Sequence, residues 1–127
     1  MKKTHEIFHP EKAVSTGHYS AGLLAGDLLF ISGQGPLDLK TGEVIHGSIE
    51  EETALTLSHI KKITEAAGGS IENLVKCTVH LEDIKEFDRF NKAYADFLGD
   101  TRPARTTVQS VLADGIKIEI DAIVKIS

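Results

Sequence analysis

Apolar and polar residues along the chain follow two periods. Val75, Cys77, Val79 and Leu81 alternate with Lys76, Thr78 and His80, the two-residue period of a strand with one buried face. Ile116, Ile118, Ile120, Ala122, Val124 and Ile126 repeat that period, with Lys117, Glu119, Asp121, Ile123 and Lys125 turned the other way. A helical period begins after the Ser48/Glu51 capping-box pair, where Ile49, Thr53, Leu57, Ile60, Ile63 and Ala67 line one side. Gly68-Gly69 ends that helix, since glycine accepts the left-handed conformation of a C-terminal cap. A second helix is predicted from Asp83, with Glu86 three residues on and Ile84, Phe87, Phe90, Tyr94, Phe97 and Leu98 on a broad apolar side. Gly99 stops it.

Shorter signals complete the order. Thr4 to Phe8 and Tyr19 to Leu24 read as extended, and Gly26-Asp27 as a turn. Leu28 to Gln34 reads as a buried strand broken by Gly33-Gln34-Gly35-Pro36. Pro103 to Val111 and Ile116 to Ile126 are expected as strands joined at Ala113-Asp114-Gly115, where Asp-Gly favours a tight hairpin. The order β-β-β-α-β-α-β-β predicts an α+β layer of about six strands with both helices on one face. The other face of the last strand is mixed polar and apolar. It is either wet or packs against other subunits and encloses polar sites between them.

The length, 127 residues, fits one domain spanning 1–127. With 41% hydrophobic and 26% charged residues the chain has a globular composition, and with 6% aromatics its core must rest on Ile, Leu, Val and Ala. The net charge of −5 argues against broad capture of nucleic acid or anionic membrane. No apolar run approaches a membrane span, and Lys2-Lys3 is not followed by a signal-peptide core. The one cysteine, Cys77, cannot form an intrachain disulfide and fits a reducing compartment, so a cytoplasmic protein is expected.

Two residues in the strand patterns carry charge suited to chemistry. The planar fork of Arg105 matches a carboxylate or phosphate, and the plainer alternative is a surface arginine paired with Asp or Glu. Glu119 suits a general base, or else one member of a ladder with Lys117 and Lys125. Asn91 falls beside Phe87, Tyr94 and Leu98, where its amide needs partners, so it either orients a site or bonds a neighbouring loop. Cys77 shares its face with Val75, Val79 and Leu81 and reads as packing rather than as a nucleophile. The histidines show no zinc-ligand spacing, and Gly33-Gln34-Gly35 lacks both the dinucleotide and the phosphate-loop patterns. No metal is expected. The glycines instead let bare backbone approach a small ligand.

Taken together, Gly17-His18-Tyr19-Ser20, Phe30 to Leu37, Ala66-Ala67-Gly68-Gly69-Ser70, Asn91-Lys92-Ala93-Tyr94, Arg102-Pro103-Ala104-Arg105 and Ile118 to Ala122 resemble the Rid family, the reactive intermediate imine deaminases, also called YjgF/YER057c/UK114. The resemblance spans nearly the whole chain in order. It implies a chorismate-mutase-like fold of the bacillus type, with about six strands in a mixed sheet and two helices on one face. It also implies a homotrimer with a central barrel and small-molecule clefts between subunits. The implied activity is cofactor-independent hydrolysis of 2-imino acids, or their enamine tautomers, to 2-keto acids and ammonia. By motif, Arg105 would take the substrate carboxylate and Glu119 would stand near the imine and the attacking water. Tyr19, Ser32, Gly33, Asn91 and Thr107 would complete the lining. His18 stands where many relatives have proline, Thr107 where many have cysteine, and Asp121 where glutamate is common.

Two other functions fit the same family. One is an endoribonuclease, against which the acidic balance and the lack of an aromatic-basic strip weigh. The other is a noncatalytic trimer that binds small metabolites and regulates or protects other proteins. Strand parity adds a geometric condition. A strict two-residue turn at Asp114-Gly115 sets Gln109 against Ile120, and Arg105 and Glu119 then point to opposite faces. Either a bulge shifts the parity, or the two residues reach one cleft from different positions around a subunit boundary.

Overall fold

The computed structural model describes residues 3–127, and its elements follow the predicted order. The strands are β1 (Thr4–Ile7), β2 (Gly22–Ala25), β3 (Leu28–Gln34), β4 (Leu74–Leu81), β5 (Ala104–Gln109) and β6 (Ile118–Lys125). The helices are α1 (Ile49–Ala66), between β3 and β4, and α2 (Phe87–Leu98), between β4 and β5. All six strands form one mixed sheet in the order β1-β2-β3-β6-β4-β5. The β4–β5 pair is parallel and the other pairs are antiparallel.

Helix α1 starts where the capping box places it. The Ser48 side chain accepts from the Glu51 amide, and the Glu51 side chain accepts from the Ser48 amide. Asp83, by contrast, caps a separate 3₁₀ turn, Ile84–Glu86, and α2 begins at Phe87. The second strand also starts later than expected, at Gly22, because Ser20 and Ala21 leave the ladder and offer their carbonyls to Ser32.

The predicted hairpin between the last two strands does not form: β4 lies between β5 and β6 and pairs with both. The Asp-Gly turn is there, with Asp114 at φ 59° and Gly115 at φ 74°. It sits inside a longer connection that crosses the end of β4. Ser110 N–H donates to the Leu81 carbonyl, Glu82 Oε2 accepts from Leu112 N–H, and Glu82 N–H donates to the Lys117 carbonyl. Burial explains the outcome: Cys77, Val79 and Leu81 of β4 are wholly buried, so β4 needs a neighbour on each side, while β5 serves as an edge.

One apolar cluster lies between sheet and helices. Leu29, Ile31, Ile118, Ile120 and Val124 from the sheet meet Leu57, Ile60 and Ile63 of α1 and Phe90, Tyr94 and Leu98 of α2. Each such side chain contributes about 1.5–3 kcal/mol when fully buried. At the edge of this layer the buried carboxylate of Glu52 accepts from the amides of Gly47 and Lys117 and from Lys117 Nζ, tying α1 to the start of β6. The opposite face of the sheet carries no helix and leaves Leu23, Phe30 and Val108 exposed; Val75, expected on the buried face with Cys77, is exposed as well, because a register shift between Leu74 and Lys76 breaks the alternation and buries Leu74 instead. Among the described residues, no helix is long and apolar enough to cross a membrane.

Candidate functional site

Register decides where the two charged candidates point. Arg105 pairs with Cys77 across β4–β5, and Cys77 is buried under the helices, so Arg105 projects on the helix side of the sheet edge. Glu119 pairs with His80, three residues from Cys77 on the same strand, and an odd offset turns it to the helix-free face. The parity expected from sequence therefore holds, although β4 rather than a hairpin enforces it.

Arg105 is held on α2. Its guanidinium carbon lies 5.5, 5.4 and 5.0 Å from the ring centroids of Phe87, Phe90 and Tyr94, which helical spacing sets on one side. Its Nη1 donates to Asn91 Oδ1 at 2.8 Å. Among the described residues Arg105 makes no ion pair, so the plainer reading of an arginine paired with Asp or Glu is corrected. Asn91 is exposed beside the apolar side, and its partner is the arginine rather than a loop. Both line a recess of about 450 Å³ with Tyr94 and Arg102, and no carboxylate borders it.

Glu119 lines a different recess, of about 500 Å³, with Tyr19, Gly33, Thr16 and Asp114. A bulge in β3 shapes it: Ile31 pairs with Ala122 and Gln34 with Ile120, so three steps on β3 match two on β6. That irregularity presses Gly33 against the Glu119 side chain. The ladder reading of Glu119 fails, because Lys117 pairs with Glu52 and Lys125 with Asp27. Among the described residues, no arginine, lysine or histidine borders this recess. Tyr19 is held on its wall by a hydrogen bond between its hydroxyl and that of Thr16, with Lys12 Nζ over its ring.

The remaining candidates fall outside both recesses. Ser32 donates to the Ser20 carbonyl at 2.6 Å and borders a third hollow with Phe30 and Ile123 on the helix-free face. Thr107 points to the helix side opposite Val79, and its Oγ1 is buried without a hydrogen-bond partner. Cys77 is buried, and burial pushes its thiol above the usual range, in keeping with a packing role. Thus one chain brings Tyr19, Gly33 and Glu119 together, brings Asn91 and Arg105 together, and keeps the two groups apart. Sequence reasoning missed Asp114 and Thr16 in the acidic recess and Arg102 in the basic one. Asp114 was readable only as a turn residue, and Arg102 only as the first residue of its motif.

Residues 10–126 match the family model described as Endoribonuclease L-PSP. A RutC family protein of Pyrococcus horikoshii is 43% identical over 118 residues, covering 92% of this chain and 94% of the relative. A human protein named 2-iminobutanoate/2-iminopropanoate deaminase is 36% identical over 108 residues, covering 84% and 79%. The crystal structure of E. coli TdcF with bound serine superposes with a TM-score of 0.88 at 31% identity, covering 97% of this chain and 99% of that one. The chain belongs to the Endoribonuclease L-PSP family, the Rid proteins, and has their chorismate-mutase-like fold.

Proposed function

We propose that this protein is a cofactor-independent deaminase that hydrolyses small 2-imino acids, such as 2-iminopropanoate and 2-iminobutanoate, to 2-keto acids and ammonia. One observation carries the reading: a single chain holds two half-sites of opposite charge on opposite sheet faces. Arg105 with Arg102 borders one, and Glu119 with Asp114 borders the other. Neither half alone can both bind an anion and activate water beside it. A cyclic head-to-tail assembly sets the acidic recess of one copy against the basic recess of the next, and the resulting ring is a homotrimer on the family's pattern. The exposed Leu23, Phe30 and Val108 give the helix-free face the apolar surface such packing needs.

The chemistry follows from the two halves. Asn91 holds Nη1 of Arg105, which leaves its other N–H groups to grip the substrate carboxylate as a planar fork. Glu119 orients a water molecule and takes its proton as the oxygen attacks the C=N carbon. The proton passes to the nitrogen, the carbinolamine collapses to the keto acid, and ammonia leaves. Free imines already hydrolyse in water, so an anion anchor and a positioned general base are enough to accelerate the reaction. The human relative's name and the serine bound to TdcF support a small amino-acid-like ligand. Cytoplasm is the compartment we propose, in keeping with a single cysteine that is free and buried.

The test is a coupled assay in which an amino acid oxidase generates the imine and semicarbazide traps what survives. Faster loss of the trappable species supports the deaminase. Binding of 2-oxobutanoate with no faster loss assigns the same cleft to a noncatalytic metabolite-binding trimer.

A further inference from the structure

His9 and His59 are both buried, and their rings meet edge to face with centroids 4.9 Å apart. His9 Nε2 lies 3.0 Å from His59 Nδ1, Glu11 N lies 3.0 Å from His9 Nδ1, and His59 Nε2 lies 2.8 Å from the Leu37 carbonyl. The two backbone groups at the ends fix the protons between them. An amide only donates, so His9 Nδ1 is bare and its hydrogen is on Nε2, donated to His59 Nδ1. His59 then carries its hydrogen on Nε2 and donates to Leu37, whose oxygen only accepts. Both rings are neutral, and no other arrangement satisfies all three bonds. An extra proton on His9 Nδ1 removes the acceptor for Glu11, and one on His59 Nδ1 faces the His9 N–H.

The chain of bonds joins three parts of the fold. His9 lies near the start of a stretch without helix or strand, residues 8–21, which is pinned again by Ala13 N–H on the Leu39 carbonyl and supplies Thr16 and Tyr19 to the Glu119 recess. Leu37 ends the Gly35–Leu37 turn, whose N–H bonds to Gly35 and which borders the same recess. His59 belongs to α1. We propose that His9 and His59 are positioning residues for the Glu119 recess: their one-way hydrogen-bond chain clamps two of its walls to α1, and a proton on either ring opens the clamp. The proposal rests on reading that recess as half of the reacting site.

The charged groups acting on the pair are Glu11 and Lys12 on the same stretch and Lys62 one turn along α1, while Lys40, in the turn after β3, acts on Glu11. Glu11 favours a charged ring, but its carboxylate is already taken by Lys62 Nζ at 2.6 Å. Lys12 and Lys62 oppose it. Burial, with the neighbouring His59 second, lowers His9 from 6.5 to about 4, and burial lowers His59 as well. The clamp is therefore intact above pH 6.5, where released and clamped forms are equally unprotonated. As the pH falls from 6.5 toward 4 the released form takes up protons that the clamped form refuses. Its population then rises by up to about tenfold per pH unit through His9, and the lowered His59 acts in the same direction.

Two measurements on the whole protein test this. At pH 7, nitrogen-resolved imidazole spectra should show His9 and His59 as neutral rings with hydrogen on Nε2. Hydrogen exchange of the Glu11, Lys12 and Ala13 amides, corrected for intrinsic rate, should show protection falling severalfold per pH unit from 6 to 4.5, while protection in β4 holds. In the His9→Phe/His59→Phe double variant, which keeps aromatic volume, that protection should be independent of pH. A charged or Nδ1-protonated ring at pH 7, or wild-type protection that does not change with pH, overturns the proposal. Neither readout involves turnover, so failure of the clamp and failure of the deaminase reading are separable.

Discussion

Gly33 lies so close under Glu119 that a methyl group in place of its hydrogen would stand 2.7 Å from Oε2 and 2.8 Å from Cδ of the carboxylate. The β3 bulge thus does two things: it ends the regular ladder and gives Glu119 a seat only glycine can provide. Gly33→Ala should push the carboxylate aside, because the far end of a side chain yields more easily than the sheet. The expected cost in stability is about 1–2 kcal/mol. Imine turnover should fall by about tenfold or more while thermal unfolding stays cooperative. Unchanged turnover would mean that the position of Glu119 is immaterial.

Glu119→Gln keeps shape and hydrogen bonding but cannot accept a proton from water. Turnover should drop by roughly 100-fold, and the Kd for 2-oxobutanoate should stay the same or decrease because a negative charge is removed. Calorimetric titration beside the coupled assay separates the two effects. Equal losses in binding and turnover would assign Glu119 to the architecture of the cleft.

Arg105→Ala should abolish acceleration and weaken 2-oxobutanoate binding by roughly 10- to 100-fold, the worth of a charge-assisted bond pair. The fold should survive, since the guanidinium rests on ring faces and an exposed amide rather than in the core. Lysine should rescue poorly, because a point charge cannot hold both Asn91 and a carboxylate in one plane. Full activity in the alanine variant would refute the anchor.

Light scattering at micromolar concentration should give three times the 13.8 kDa chain mass. Phe30→Asp, which puts a charge on the exposed helix-free face, should shift the population toward single chains and take imine turnover with it. An active monomer would remove the basis for a site shared between copies.

Elements whose period is local were legible in the sequence. The capping box located α1 to the residue, and alternation assigned every buried position of β6 from Ile118 to Val124. The partner of β5 was not legible, because Asp114-Gly115 specifies a turn and says nothing about which strands it joins. That choice lies with the burial of β4, a property of the assembled sheet. Asn91 is readable from its place beside the apolar side of α2 and Arg105 from its strand, whereas their hydrogen bond depends on the parallel register that sets Arg105 opposite Cys77. The histidine pair was invisible for a similar reason: fifty residues separate His9 from His59, and no periodicity links them.

The sheet order carries a consequence for how this molecule is made. β1, β2 and β3 form one ribbon and β4 and β5 another, and only β6 bonds to both. Until β6 has been synthesised and slotted between β3 and β4, the nascent chain holds two half-sheets with bare inner edges. Such edges are open to mispairing with other chains. Inserting β6 should then be the slow, long-range step of folding. Weakening its central contacts, as in Ile120→Ala, should retard refolding as well as hasten unfolding.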